Sequence, residues 1–193
     1  MTKVLLTGFE PFGKATLNPS GEIVKQISGD NIVTAILPVA YAQSAEALLA
    51  LIEQHNPDVV ISLGQAEGRT HVSPERIAIN LDDARLADNE GVIRNDVPIV
   101  VGGPVAYEST LPIKEIVNAI NDAGVPAAVS LSAGAFLCNH VFYVAQDHFK
   151  GTKVRSGFVH VPLMDEQAGE FPGLPTMPLD QMVKAVRTML EVL

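Results

Sequence analysis

One cysteine, five histidines and twenty-two acidic side chains are the groups from which this chain of 193 residues must build any nucleophile, base or metal cage. Cys138 stands in Val129-Ser-Leu-Ser-Ala-Gly-Ala-Phe-Leu-Cys138-Asn-His-Val-Phe-Tyr143, where an apolar run passes through small residues into a segment of helical period. A thiol at a helix N-terminus meets free N–H donors and the positive end of the peptide dipoles, and both favour the nucleophilic thiolate. The same amides would hold the oxyanion formed when a carbonyl is attacked. The competing reading is that Cys138 is a small buried hydrophobe, as free cysteines commonly are.

Thiolate chemistry needs a base, and histidine is the usual partner. His55 ends a helical segment and reads as solvated. His140 lies two residues from Cys138, so on a helix it points elsewhere. His148 is about three turns further along the same segment. His71 lies in a polar loop and stays open as a candidate. His160, in Gly157-Phe-Val-His-Val-Pro162, is polar yet near the carboxyl end of a buried strand, the edge at which such sheets bind ligands. A third group would orient the imidazole and stabilise its cation. Glu75, in Ser73-Pro-Glu-Arg-Ile-Ala78, is a carboxylate entering an apolar run, although it also reads as an ordinary strand-edge charge or a partner of Arg76.

The elements that must position these groups alternate along the chain. Buried strands are predicted at Val4–Thr7, within 31–39, at Asp58–Gly64, Glu75–Leu81, Ala127–Leu131 and Ser156–Val161. Helices are predicted from Asn18-Pro19 (an Asn cap followed by Pro at the first helical position), over Ala42–His55, Ile113–Ile120 and Asn139–Phe149, and from Leu179 onward. The stretch 82–104 is rich in turn formers and reads as an extended excursion; 163–178 contains three prolines and reads as irregular, either an interface or a lid. Repeated βα units predict an α/β protein: a single-domain α/β/α sandwich over residues 1–193 with a mostly parallel twisted sheet, of phosphorylase/hydrolase-like type. There is no internal repeat, linker or low-complexity tract.

Composition removes several alternatives. Hydrophobic residues make up 47% and charged residues 18% of the chain, enough to bury a sizeable core and too apolar for a disordered tail. The net charge of −9 leaves no basic stripe for a general nucleic-acid binder. A lone cysteine makes neither an intramolecular disulfide nor a cysteine-based zinc cage. No stretch approaches the roughly 18 uninterrupted apolar residues of a membrane span, and the N-terminal apolar run stops at Gly8, too short for a signal peptide. A cytoplasmic protein with no membrane partner is expected.

Several motifs taken together resemble the pyroglutamyl peptidase I (pyrrolidone carboxyl peptidase) family. Thr7-Gly-Phe-Glu-Pro-Phe-Gly13 with Asn18-Pro-Ser20 is similar to its N-terminal signature. Gly64-Gln-Ala-Glu-Gly-Arg69 leading to Val72-Ser-Pro-Glu-Arg-Ile-Ala-Ile-Asn80 resembles its glutamate motif, residues 129–142 its cysteine motif, and residues 157–162 its histidine motif. Asp83-Ala-Arg85 to Asp88-Asn-Glu-Gly91 is also shared. The resemblance implies a Cys138–His160–Glu75 triad. It also implies a pocket for the pyroglutamyl ring lined by Phe9, Phe12 and Phe136 with Asn18 and Gln65 nearby, and an oxyanion held by the Cys138 amide and Arg85. Flat aromatic walls with a few amide contacts suit a neutral, half-apolar lactam. Glu67 departs from the family, which usually has a small residue there, and the tail after the last helix is shorter than is usual.

The function implied is a cysteine exopeptidase that removes N-terminal pyroglutamate from peptides through a thioester, needs no cofactor, and assembles as a homo-oligomer, a tetramer or dimer. Two readings compete with it. A nucleoside phosphorylase-like enzyme would need a phosphate cradle, and no Walker-type or dinucleotide glycine pattern is present. A binding module would hold a cyclic amide in the same pocket without turnover.

Overall fold

In the computed structural model, which describes residues 2–193, the strands form where β-branched and leucine-rich runs fall between helices. In chain order the elements are β1 (Val4–Phe9), α1 (Pro19–Lys25), β2 (Ile32–Leu37), α2 (Tyr41–His55), β3 (Val59–Gln65), β4 (Ser73–Pro74), β5 (Ile77–Ile79), β6 (Ala106–Glu108), α3 (Ile113–Asp122), α4 (Leu137–His148), β7 (Arg155–Val161), β8 (Leu163–Met164), β9 (Thr176–Met177) and α5 (Leu179–Glu191). The main sheet has the order β2-β1-β3-β7-β4. Its first four strands are parallel, and only the two-residue β4 runs antiparallel to β7.

Side chains alternate across the strands and so feed two separate cores. Val4, Leu6, Ile61, Leu63, Val159 and Val161 face α1, α3 and α5 on one side. Leu5, Phe9, Val60 and Phe158 face α2 and α4 on the other. The result is the expected α/β/α sandwich with a mostly parallel sheet. The alternation also decides where the site lies. Val159 and Val161 belong to the first core, so His160 between them points to the α4 side.

Two strand expectations fail, for a shared reason. The predicted strand Glu75–Leu81 is broken: Ser73 and Pro74 pair with β7, Glu75 makes a single bridge to Ser130, and Ile77–Ile79 pairs instead with β6, a short strand outside every predicted one. Ala127–Leu131 is extended but forms no regular strand; it holds residues 72–76 through isolated bridges at Val72–Ala127 and Glu75–Ser130. Period-2 apolar patterning reports that a segment is extended and half-buried, not which neighbour it pairs with. The excursion 82–104 has neither helix nor strand, and the Asp82–Val97 bridge closes it into a loop. Residues 163–178 are more ordered than predicted: β8 pairs with β9, and Gln167 is buried and anchored to Leu17 and Gln65.

Candidate active site

Cys138 sits in the first turn of α4, one residue after the helix starts at Leu137, a little earlier than the predicted start at Asn139. The residue at the cap is Phe136, which has no side-chain acceptor to offer, so no cap consumes the first-turn amides. The chain reaches this turn through Gly134 at φ 75, a left-handed conformation that glycine adopts freely. The thiol opens onto a cavity of about 380 Å³ that is also lined by His160, Arg69, Gln65, Glu67, Asn18, Phe9, Phe12 and Phe136. His71 is absent from this lining, and His140 points away from it to Asp82.

The space beside the thiol depends on a glycine. Gly64 is the register partner of His160 across β3 and β7, and a Cβ built on it would lie 2.7 Å from the Cys138 Sγ and 2.7 Å from the Phe158 ring. Phe158 is fully buried and cannot retreat. A parallel pair of strands and a helix N-terminus therefore converge on one point because position 64 has no side chain.

His160 and Glu75 meet across 85 residues of sequence, with Nδ1 2.7 Å from Glu75 Oε1. Both side chains are buried. The same Oε1 accepts Arg69 Nη1 at 2.9 Å, and Oε2 has no partner. Burial pushes the Cys138 thiol up to about 12; the Glu75 carboxylate adds to this and the Arg69 guanidinium opposes it. Burial also pulls the His160 imidazole below its ordinary value, against the upward effects of the Glu75 hydrogen bond and charge. Both shifts disfavour the charged forms and work against the helix N-terminus, which favours the thiolate.

The aromatic wall is assembled from three segments. Phe12 and Phe136 face each other with centroids 6.1 Å apart, and Phe9, packed on Phe158, forms the floor. Gln65 contributes a polar edge whose orientation is fixed. Gln167 uses its carbonyl oxygen on the Met164 N–H, so its amide nitrogen must face Gln65 Oε1, at 2.9 Å. That leaves the buried Gln65 Nε2 as a donor without a partner.

Asn18 is at the cavity, as the resemblance implies, whereas Arg85 is not. Asn18 lines the cavity, but its carbonyl oxygen caps α1 by accepting from the Ser20 N–H and hydroxyl, and its amide donates to the Glu10 carbonyl. It holds the Phe9–Phe12 loop in place and has little left for a ligand. Arg85 is exposed on the 82–104 excursion, outside the cavity lining. Among the described residues, the guanidinium at the cavity is that of Arg69, which also donates from Nη2 to the Ser132 carbonyl at 3.2 Å. Sequence reading had Arg69 inside a motif but gave it no role; nothing in its spacing pointed to Glu75.

Comparisons with known proteins point to one family. The family model for pyroglutamyl peptidase matches residues 2–193. A pyrrolidone-carboxylate peptidase of Vibrio vulnificus is 47% identical over 195 residues, covering 98% of this chain and 92% of the relative; one of Bacillus thuringiensis is 44% identical over 199 residues, covering 100% and 93%. The crystal structure of pyroglutamyl peptidase I from Bacillus amyloliquefaciens superposes with a TM-score of 0.96 at 43% identity, covering 100% of this chain and 96% of that one. A mutant pyrrolidone carboxyl peptidase from Pyrococcus furiosus gives 0.91 at 42% identity, covering 98% and 97%. With the model matching nearly every residue and the relatives aligning end to end, the chain belongs to the pyroglutamyl peptidase family of cysteine peptidases.

Proposed function

We propose that the protein hydrolyses the amide bond that follows an N-terminal pyroglutamyl residue of peptides, with Cys138 as nucleophile, His160 as acid and base, and Glu75 orienting the imidazole. The observation that carries this reading is the buried His160–Glu75 contact of 2.7 Å in a cavity that also holds the Cys138 thiol and three phenylalanines.

The lactam ring packs against the phenylalanine side chains that line the cavity, and the unpartnered Gln65 Nε2 donates to its ring carbonyl. A free N-terminal glutamine carries an ammonium that these walls would have to desolvate, which disfavours it against the neutral lactam. The cavity disfavours the charged forms of both thiol and imidazole, so attack and proton transfer are coupled. The Cys138 proton moves to His160 Nε2 as sulfur bonds to the carbonyl carbon, and Glu75 stabilises the imidazolium formed. The Cys138 backbone N–H donates to the developing oxyanion. Collapse breaks the C–N bond, and His160 returns its proton to the leaving amine. Water then attacks the thioester, giving its proton to His160. Collapse of the second tetrahedral intermediate releases pyroglutamate and returns the proton to sulfur. No step calls for a metal or an organic cofactor. Arg85, the second oxyanion donor that the resemblance implies, lies outside the cavity lining.

The test is release of a chromophore from a pyroglutamyl amide without added phosphate. Wild type is expected to turn over, and Cys138→Ser to lose about 10⁴-fold or more in kcat. No release by the wild type would sink the peptidase reading, and full activity in the serine variant would remove Cys138 from it.

The chain is further read as a single-domain, cytoplasmic protein that forms a homo-oligomer, a dimer or tetramer. No helix among the described residues is long and apolar enough to cross a membrane. Val101 in the excursion and Val105 just after it are exposed, at 89% and 85%, as apolar surface suited to a second copy. Sedimentation of the protein across a concentration series distinguishes these states from a monomer.

A further inference from the structure

Arg69 carries more of the site than any reading of its motif suggests. Its guanidinium spans two segments that the chain brings together only in three dimensions. Nη1 lies 2.9 Å from Glu75 Oε1, the oxygen that also meets His160 Nδ1, and Nη2 donates to the Ser132 carbonyl at 3.2 Å. Ser132 begins the loop that runs through Gly134 to the first turn of α4. That loop sets the position of the Cys138 thiol and amide. Since Glu75 Oε2 has no partner, the carboxylate's orientation rests on the two contacts at Oε1.

We propose that Arg69 is a positioning residue for the peptidase reaction, a clamp that ties the carboxylate orienting His160 to the loop presenting Cys138. The inference rests on the function proposed above. The clamp needs a planar fork: a lysine ammonium is a single point charge on a flexible stem and does not make both contacts with the same geometry. Loss of the clamp removes one of the two contacts that orient the Glu75 carboxylate and lets the 132–136 loop drift from the imidazole. Misplacement of about 1 Å at a reacting centre costs on the order of 100-fold in rate.

The clamp also has an electrostatic signature. The charged and titratable groups facing His160 are Glu75 and Arg69, with Cys138 opposite and Glu67 in the cavity lining. Arg69 lowers both the His160 and the Cys138 protonation equilibria. Removing the cation therefore raises both, and thiol reactivity moves to higher pH.

The experiment compares wild type, Arg69→Gln and Arg69→Lys in two measurements: kcat and KM on a pyroglutamyl amide, and the pH dependence of Cys138 alkylation by iodoacetamide. Arg69→Gln is expected to lower kcat about 100-fold with KM little changed, and to shift both the acid limb of kcat/KM and the alkylation profile to higher pH. Arg69→Lys is expected to recover the pH limb and only part of kcat. Wild-type kcat in Arg69→Gln overturns the proposal, as does a loss confined to KM or to melting temperature with the pH limb unmoved. Complete recovery of kcat in Arg69→Lys assigns the effect to charge alone and overturns the clamp. If the wild type releases no chromophore, the peptidase reading fails, and the alkylation profiles still decide whether Arg69 governs the Cys138–His160 pair.

Discussion

Glu75 and Asp82, seven residues apart, are built into nearly the same arrangement. Glu75 offers Oε1 to Arg69 and His160, at 2.9 and 2.7 Å, and leaves Oε2 unpartnered. Asp82 offers Oδ2 to Arg94 and His140, at 2.7 and 2.9 Å, and leaves Oδ1 unpartnered. Both carboxylates are fully buried. They differ in what the imidazole sees on its other side. His160 faces the cavity that holds the thiol, with Gly64 leaving the room. His140 is closed off edge-on by the Tyr41 ring at 5.4 Å, and Arg94 covers that ring at 4.4 Å. A buried Arg–carboxylate–His cluster is thus no mark of catalysis. It becomes a site where a nucleophile and open volume adjoin it. The second cluster pins the 82–104 excursion to α4, where Tyr41 also packs edge-on against Phe136 of the substrate wall.

The sharpest way to break this comparison is to neutralise each carboxylate without changing its size. Glu75→Gln is expected to lose about 10³–10⁴-fold in kcat, since an amide no longer stabilises the imidazolium or fixes its tautomer. Asp82→Asn is expected to keep most of kcat but lose about 3 kcal/mol, because Arg94 and His140 lose the buried carboxylate that both contact. At about 2–4 °C per kcal/mol for a chain of this size, its Tm falls by roughly 6–12 °C. Steady-state kinetics and thermal melts on the two variants decide the matter. An equal loss of kcat in both would make the second cluster part of the reaction.

Gly64→Ala probes the open volume, the feature that separates the clusters. The added methyl is predicted to displace Cys138 and to cost on the order of 100-fold in kcat with folding retained. Its circular dichroism and chromophore release test this together, and undiminished turnover would show that the thiol has slack. The smallest effect is in pH. Since burial lowers the His160 equilibrium from its ordinary 6.5, the base stays neutral further into acid, and the acid limb of kcat/KM should lie below pH 6.5. A limb above that value would mean that the Glu75 charge outweighs desolvation.

Much of the scaffold was legible along the chain because its signals are local. The Asn18-Pro19 cap, the βα alternation and the continuous apolar strands each follow from a few neighbouring residues, and each is found where expected. The parity of β7 even fixes the side on which His160 points. Pairing was less legible: Glu75 lies at a break between two short strands, and extended segments carry no label for their partner.

Cys138, His160 and Glu75 could be named from residue type, position at strand and helix ends, and family resemblance. What sequence determined was therefore the inventory of chemistry and the frame that carries it, since both depend on short-range pattern. Only the tertiary structure decided the surroundings of that inventory and its supports. Desolvation sums over everything packed around a group, and it pushes the thiol up where the helix dipole alone argues for a thiolate. Arg69 became a clamp, Asn18 a brace and Arg85 an outlying charge for the same reason. Hydrogen-bond partners 63 and 85 residues apart are set by packing, which no local pattern encodes.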